Sequence, residues 1–504
     1  MGCALLTACA VGPDYEKPVT DIPDTYKEQQ GIWKPAAPQD MADKGPWWSI
    51  YNDAILNDLE KQIVISNQNL KLAEASYRQA RALADEARAS LFPTLGLSGS
   101  ATRGKAANKV SNSFRASADA TWEPDIWGRI RRDIESSEAN AEASAADLAN
   151  ARLSAQAELA ADYFQLRAQD EIKRLLDETV AAYQESLKIT QNQYKTGIVA
   201  KTDVMQAETQ LKSTQSSAIN LGVQRAKLEH AIAVLIGKPP GEFSLAPTPF
   251  LTAIPQIPAG VPSTLLERRP DIASAERQVA AANADIGVAM AAFFPTLTLD
   301  GSFGFASSVL SSLITAPTNV WSVGPALALT LFDGGLRAST IEEKRAAYDA
   351  AVANYRQTAL AAFQDVEDQL SSQRLLAQQA DAENETVKAA QESAKLARNQ
   401  YKAGIVSYTS VVVAEAASLS AQQSALGIRR DRLVTSVNLI KALGGGWSQA
   451  QIPADVTQAE SSRNSGTAPP PSMAAVPAEN PPAPVQAPKG KADDALLGMG
   501  LFGL

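Results

Sequence analysis

Polar and apolar residues alternate in four segments of this 504-residue chain, near residues 91–103, 113–123, 296–305 and 321–331. In the first segment Leu95 and Leu97 fall on one face, and Ser98 falls on the other. A period of two residues is typical of a β-strand with one apolar face. The segments occur as neighbouring pairs, which predicts two β-hairpins at about 91–123 and 294–332.

The pattern as a whole occurs twice. The two predicted hairpins open with Phe92-Pro-Thr-Leu95 and Phe294-Pro-Thr-Leu297, which lie 202 residues apart. Behind each hairpin is a run of 68 residues without glycine or proline, 129–196 and 336–403. Each run ends in the phrase Tyr-Lys-x-Gly-Ile-Val. The chain therefore contains a duplicated unit of strand, strand, long helix and second helix.

In the helical parts the period changes from two to seven. Apolar residues recur every seven positions in three rows: Ile134, Ala141, Leu148, Ala155; Ile341, Tyr348, Tyr355, Ala362; and Val412, Leu419, Leu426, Leu433, Ile440. Heptad spacing predicts helices that pack as coiled coils. The predicted helices are at about 53–90, 126–196, 198–236, 270–292, 336–403 and 405–443. At ~1.5 Å rise per residue a long helix reaches about 100 Å, with tip turns at Gly197 and Gly404.

The predicted strands have features of a membrane β-barrel. Each is about ten residues long, which suits a tilted strand that crosses the hydrocarbon core. The polar faces carry mostly small residues, and aromatic residues such as Trp122, Trp127 and Phe332 lie at strand ends. Two soluble hairpins packed on a core would give the same alternation. The sequence contains no run of about 18–20 apolar residues, so it predicts no transmembrane helix.

Closure of a barrel would require several chains. An open sheet edge is not tolerated in lipid, and four strands are too few to close. Eight strands would have a filled interior, whereas twelve would leave a lumen. A pore therefore needs at least three chains. The predicted fold class is mainly α with a membrane β-barrel.

Composition argues against several other classes of function. The formal net charge is −9 and the pI is about 5.0, which disfavours a nucleic-acid partner. His230 is the only histidine, and Cys3 and Cys9 are the only cysteines. A zinc site, a Ser-His-Asp triad and a disulfide framework are therefore nearly excluded. We predict that the protein is not an enzyme and binds neither a metal nor a cofactor.

The amino terminus contains Leu6-Thr7-Ala8-Cys9, which resembles the sequence before the acylated cysteine of bacterial lipoproteins. The resemblance predicts lipid attachment at Cys9. Only eight residues precede it, fewer than a full signal peptide has. The predicted organisation is a signal-peptide remnant (1–8), a lipidated extended segment (9–45), repeat 1 (46–238), an equatorial linker (239–263), repeat 2 (264–447) and a disordered tail rich in proline and alanine (448–504).

A set of short phrases follows in a fixed order over residues 9–447. They are Cys9-Ala-Val-Gly-Pro-Asp-Tyr15, Trp47-Trp48, Asp125-Ile-Trp-Gly-Arg129, Leu266-Glu-Arg-Arg-Pro-Asp-Ile272, Leu331-Phe-Asp-Gly-Gly335 and Ala442-Leu-Gly-Gly-Gly-Trp447. In this order they resemble the outer membrane factor family, the TolC-like channels of Gram-negative bacteria. The most similar branch is the NodT-type lipoproteins that serve resistance–nodulation–division efflux pumps.

The resemblance implies a homotrimeric exit duct, lipid-anchored in the outer membrane and extending into the periplasm. It further implies that a trimeric twelve-stranded β-barrel continues into an α-helical coiled-coil barrel. A periplasmic adaptor protein and an inner-membrane resistance–nodulation–division pump would dock at its helical tips, and small toxic compounds or drugs would pass through it. Family members close the tip with polar and acidic side chains. The candidates for this gate are Asp203, Glu208, Thr409, Val413 and Glu415. Because Val413 stands where the family commonly has an aspartate, we expect a more apolar gate here.

Two other functions remain open. A type I protein secretion duct uses the same architecture, although the lipoprotein start and Trp47-Trp48 favour efflux. A structural envelope lipoprotein without a pore would need no hairpins with a polar face. The alternating strands therefore favour a duct, but the sequence does not identify the exported compounds.

Overall fold

The computed structural model describes residues 10–20, 26–28, 46–106, 109–250, 252–255, 257 and 268–445. All of them belong to one compact unit, Met1–Val456. Cys9, the predicted signal-peptide remnant and the predicted tail lie outside the described residues. The predictions for these three parts stay predictions.

Seven α-helices and four β-strands carry the described fold. A short 3-10 turn at Trp47–Tyr51 precedes the first helix. The elements are α1 (Ala54–Ser66), α2 (Gln68–Ala89), β1 (Thr94–Ala106), β2 (Lys109–Trp122), α3 (Arg129–Lys195), α4 (Lys201–Leu235), α5 (Pro270–Ala291), β3 (Thr296–Ser307), β4 (Asn319–Ala328), α6 (Leu336–Lys402) and α7 (Tyr408–Ala442). Their order confirms the duplicated unit. In the described part of the chain, no helix has an apolar stretch long enough to cross a bilayer.

The helix predicted over 53–90 is two helices in the structure. Asn67 has extended backbone angles, with φ −62° and ψ 123°, so α1 ends before it and α2 begins after it. Its Oδ1 accepts a hydrogen bond from the Leu70 N–H at 2.9 Å, which caps α2. Its Nδ2 donates to the Leu235 carbonyl at 2.7 Å. The break therefore ties α1 and α2 to the end of α4, a contact that local sequence does not reveal.

The four strands form one antiparallel sheet in the order β1-β2-β3-β4. The two predicted hairpins are joined because β2 pairs with β3, from Phe114↔Ser307 to Trp122↔Leu299. β4 ends at Ala328, opposite Thr296, where β3 begins. The predicted second hairpin extended to 332, but residues 329–332 have no partner strand in the described chain. Pairing stops there although the alternation continues.

The helices pack side by side around α3. In the half nearer the sheet, α3 lies between α2 and α5, and α5 contacts α6. In the other half, α3 lies between α4 and α7, and α7 contacts α6. The lateral order is therefore α2-α3-α5-α6 in one half and α4-α3-α7-α6 in the other. In both halves, the helix at one border of the protomer (α2 or α4) belongs to repeat 1, and the helix at the other border (α6) belongs to repeat 2.

The amino-terminal segment 10–20 lies in the groove between α3 and α5. Arg132 on α3 is almost fully buried and donates to the Asp14 carboxylate at 2.9 Å. Gly12 has a φ of 110° and touches Gly287 on α5. A Cβ built on Gly12 would lie 2.5 Å from the Gly287 Cα. Glycine at both positions therefore allows the segment to lie this close to α5.

The largest hydrophobic core lies where α1 crosses α3 and the ends of α4 and α7. It contains Trp47, Trp48, Leu56, Ile63, Phe164, Ile232 and Val437. The described part of the predicted linker packs here, because Leu245 and Phe250 belong to the same cluster. The Leu245 N–H donates to Glu229 at 2.6 Å, and Arg167 donates to the Ala246 carbonyl at 2.8 Å. The described part of the linker is thus held against α3 and α4.

Candidate functional site

The sheet has one apolar and one polar face, as the alternation predicted. Residues paired across neighbouring strands point to the same side. On the apolar face Leu97 is 89% exposed, Val323 77% and Leu327 71%. These large side chains are not covered by other described parts of the chain. The face has the exposure expected of a surface that contacts lipid, and the reading as soluble hairpins packed on a core is wrong.

The polar face is organised around two carboxylates. Asp119 accepts hydrogen bonds from Ser98 at 2.9 Å, Ser117 at 3.0 Å and Ser302 at 2.7 Å, which lie on three different strands. Nearby, the Thr121 hydroxyl donates to Asp300 at 2.9 Å. Hydroxyl donors hold both carboxylates in place on a surface of small side chains. Such a surface suits a water-filled lumen and offers no nucleophile–base pair.

Aromatic side chains mark the end of the sheet from which the helices continue. The Trp122 indole donates to the Leu91 carbonyl at 2.9 Å. The Trp127 indole donates to the Pro295 carbonyl at 2.7 Å, and its ring stacks on Phe294 with centroids 4.8 Å apart. Tryptophan with an apolar ring and a satisfied N–H is typical of the membrane–water interface. These side chains form an aromatic border between the sheet and the helices.

The two predicted tip turns have the same backbone geometry. Gly197 and Gly404 have φ values of 76° and 72°, which glycine adopts without strain. The Ile198 N–H donates to the Gln193 carbonyl at 2.8 Å, and the Ile405 N–H donates to the Gln400 carbonyl at 2.9 Å. These bonds are those of a Schellman cap. Ile198 and Ile405 follow the caps and are 71% and 72% exposed.

Three side-chain hydrogen bonds join the tips of the two repeats. Tyr401 donates to Gln193 at 3.1 Å, and Thr409 donates to Gln206 at 3.0 Å. The hydroxyls of Tyr408 and Ser186 are 3.0 Å apart. Burial is the main reason that the pKa of Tyr401 and the pKa of Tyr408 are raised. Both phenols therefore stay protonated at neutral pH.

The five predicted gate residues do not form one cluster in the protomer. Glu415 is buried and accepts from Arg398 on α6, with an Nε–Oε1 distance of 2.9 Å. Thr409 and Val413 are exposed and lie four residues apart, on the same face of α7. Asp203, in the first turn of α4, and Glu208 are partly exposed. The two α7 residues thus share a surface, whereas Glu415 is bound within one helix pair.

Sequence reasoning missed Arg398, Tyr408 and Ser186, although it named Glu415, the partner of Arg398. The signal was a difference between the repeats at the offset of 207 residues. Arg398 corresponds to Gln191, and Tyr408 corresponds to Lys201. The ion pair and the central tyrosine therefore exist only in repeat 2. Because the tip turns themselves match so well, the differences beside them are easily overlooked.

A sheet with a polar and an apolar face, continued by one 67-residue helix in each repeat, defines an outer membrane channel. The family profile described as "Outer membrane efflux protein" matches residues 59–238 and 261–445. The chain therefore belongs to the outer membrane efflux protein family. It is a channel protein of the outer membrane in Gram-negative bacteria and not an enzyme.

Individual relatives agree with this assignment. The chain is 29% identical over 456 residues to the probable efflux pump outer membrane protein TtgC of Pseudomonas putida, covering 88% of this chain and 94% of that protein. It is 29% identical over 449 residues to the cation efflux system protein CusC of Escherichia coli O6:H1, covering 88% and 97%. The solved structure of the outer-membrane channel OprN superposes with a TM-score of 0.81 at 32% identity, covering 87% and 100%.

Proposed function

We propose that three copies of this chain form the exit duct of a tripartite efflux pump. The observation that carries the proposal is the unpaired sheet: β1 and β4 are free edges of a four-stranded sheet. An open edge in lipid leaves backbone groups without partners. Pairing of β4 with β1 of the next copy removes both edges. Twelve strands give a lumen, whereas eight would be filled by side chains.

The helices support the same ring. The border helices of the protomer are α2 and α4 on one side and α6 on the other. Both borders carry exposed apolar residues: Leu72 and Leu83 on α2, Met205, Ile219, Val223 and Val234 on α4, and Leu360, Leu375 and Leu396 on α6. A repeat-1 border that meets a repeat-2 border is a head-to-tail contact, and such contacts close rings.

Lipid attachment at Cys9 is part of this proposal. Its neighbour Ala10 lies against Gly128, where a Cβ would come within 2.7 Å of the Ala10 Cα. The next residue, Val11, donates to the Trp127 carbonyl at 3.0 Å. Consecutive Cα atoms are about 3.8 Å apart. A lipid on Cys9 would therefore start beside the aromatic border and could enter the membrane.

Docking of a periplasmic adaptor and an inner-membrane resistance–nodulation–division pump would occur at the helical tips. The exposed Ile198 and Ile405 on equivalent turns offer two similar apolar points per chain. The names of TtgC and CusC favour efflux over type I protein secretion. One of these names specifies cations, so the relatives do not assign one substrate class to this chain.

The native mass of the detergent-extracted protein tests this assembly. We expect a trimer in which each chain carries the additional mass of acyl groups. Cys9→Ser should remove that mass, and deletion of the gene should increase susceptibility to exported compounds. A stable monomer would contradict the duct, since four strands do not close. A trimer without acyl mass would contradict only the lipid anchor.

We further propose that the tip is the periplasmic gate, with Thr409 and Val413 facing the axis. Asp203 and Glu208 lie on α4, which the Thr409–Gln206 hydrogen bond joins to α7 at the tip, and they would add acidic groups to this opening. Glu415 would act indirectly, because its bond to Arg398 fixes α7 against α6. The three hydrogen bonds between the repeat tips would have to break when the gate opens. This arrangement makes apolar contact at Val413 the main barrier to ions.

Val413→Ala is expected to increase the resting conductance of the channel in planar bilayers and the uptake of drugs by cells. Val413 is 63% exposed, so truncation widens the opening without leaving a cavity in the core. The matched control is Val64→Ala on α1, an equally small change at an exposed valine away from the tip. Unchanged conductance and uptake in Val413→Ala would show that Val413 does not form the barrier.

A further inference from the structure

Two basic residues lie on the apolar, outward face of the sheet. In β1 the residues that share the face of Leu97 are every second one, so Arg103 and Lys105 belong to it. The pairing register agrees, because Leu97 pairs with Ala118, whereas Arg103 pairs with Asn112 and Lys105 with Val110. A cation on a surface that contacts lipid is costly unless it lies at the edge of the hydrocarbon.

The position of this pair along the strand places it at that edge. From Thr94, at the aromatic border, to Arg103 are nine residues, which cover about 30 Å along the strand. A strand tilt of about 40° reduces this to about 23 Å along the membrane normal, and the apolar band of such barrels is about 25 Å tall. The helices leave from the opposite end of the sheet. Arg103 and Lys105 therefore lie at the outer rim of the band.

No carboxylate of the described strands is available to neutralise the pair. Within the four described strands the acidic residues are Asp119 and Asp300, and both belong to the polar face. The 308–318 connection between β3 and β4 has no charged residue. Arg103 and Lys105 are exposed, and neither has an ion-pair partner among the described residues. The outward rim thus presents two adjacent positive charges at the depth of lipid headgroups.

We propose that Arg103 and Lys105 bind the phosphate groups of a phosphorylated glycolipid in the outer leaflet. Arginine offers a planar set of N–H donors that fits phosphate oxygens, and lysine adds a point charge. Side chains two residues apart on one face of a strand lie about 7 Å apart, so both can contact the same headgroup.

Native mass spectrometry of the full-length protein, titrated with bisphosphorylated lipid A, tests this site. We expect Arg103→Gln with Lys105→Gln to weaken binding by about thirtyfold, since each of the two basic groups near an anionic lipid contributes roughly 1 kcal/mol and about 1.4 kcal/mol corresponds to a factor of ten. Arg103→Lys with Lys105→Arg keeps both charges and should bind as the wild type does. The matched control is Arg115→Gln, which removes a positive charge from the polar face of the neighbouring strand.

Two further titrations identify the ligand. Lipid A without its phosphates should bind wild-type protein as weakly as intact lipid A binds the double glutamine variant. Excess inorganic phosphate should not displace intact lipid A, because the acyl chains hold the headgroup at the rim. Equal binding by the double variant, or equal weakening by Arg115→Gln, would overturn the proposal. Complete displacement by inorganic phosphate would mean that the site binds free phosphate rather than lipid. Unchanged circular dichroism shows that the variants are folded.

Discussion

Leu97→Arg is expected to prevent stable insertion of the sheet into the outer membrane. Leu97 is 89% exposed in β1, on the face that carries no acidic residue. An arginine on the lipid face of a barrel costs about 2–4 kcal/mol near the bilayer midplane. In the proposed trimer this cost is incurred by each of the three chains. The amount of folded protein in the outer membrane fraction measures the effect.

The control for this prediction is the adjacent residue. Gly96 belongs to the polar face and pairs with Asp119, and a Cβ built on it meets nothing within 4 Å. Gly96→Arg therefore places the same side chain in open space opposite a carboxylate, and we expect insertion close to that of the wild type. Equal loss of insertion in both variants would mean that the two faces do not differ in environment, contrary to the barrel.

Glu60→Gln is expected to stabilise the protein at neutral and alkaline pH. Glu60 on α1 is 0% exposed, and neither of its carboxyl oxygens has a hydrogen-bond partner among the described residues. Burial raises the pKa of Glu60 to about 9. The folded state must then bind a proton that the unfolded state has lost. Between the ordinary pKa of 4.5 and pH 7 this costs about 3 kcal/mol, at roughly 1.4 kcal/mol per pH unit.

The sign of this effect defines the measurement. The contribution of Glu60 to the stability of the wild type should be most favourable below pH 4.5 and should become less favourable as the pH rises toward 9. Glutamine has no proton to lose, so the melting temperature of the variant should exceed that of the wild type by an amount that grows from pH 5 to pH 8. Glu74→Gln on the exposed surface of α2 is the control. A melting-temperature difference that does not change with pH would contradict a neutral, buried Glu60.

The faces of the sheet and the lengths of the helices were predictable from the sequence. In a strand with a period of two, successive side chains point to opposite faces of the sheet. A shift of one residue would move every apolar residue to the other face, so the alternation assigns each residue to a face. Leu97 and Asp119 therefore had to lie on opposite faces. Likewise, 68 residues without glycine or proline have no strong local reason to break. The tip turns were predictable because glycine ends a helix with a local set of hydrogen bonds.

Other features depend on partners far away in the chain. Asn67 breaks the first helix because Leu235 accepts its side-chain amide, 168 residues away. β4 ends at Ala328 because β3 offers no partner beyond Thr296, although the alternation continues.

The contacts of the predicted gate residues likewise depend on partners that are remote in sequence. Glu415 was predicted as a gate residue from its place near the turn, and only the packing of α6 on α7 revealed its bond to Arg398. The sequence alone therefore determined the duplicated architecture, the two-faced strands and the positions of the tips, since these follow from local periodicity and backbone preference. Only the tertiary structure decided which side chains pair across the repeats, because those choices rest on distances between residues that are remote in sequence.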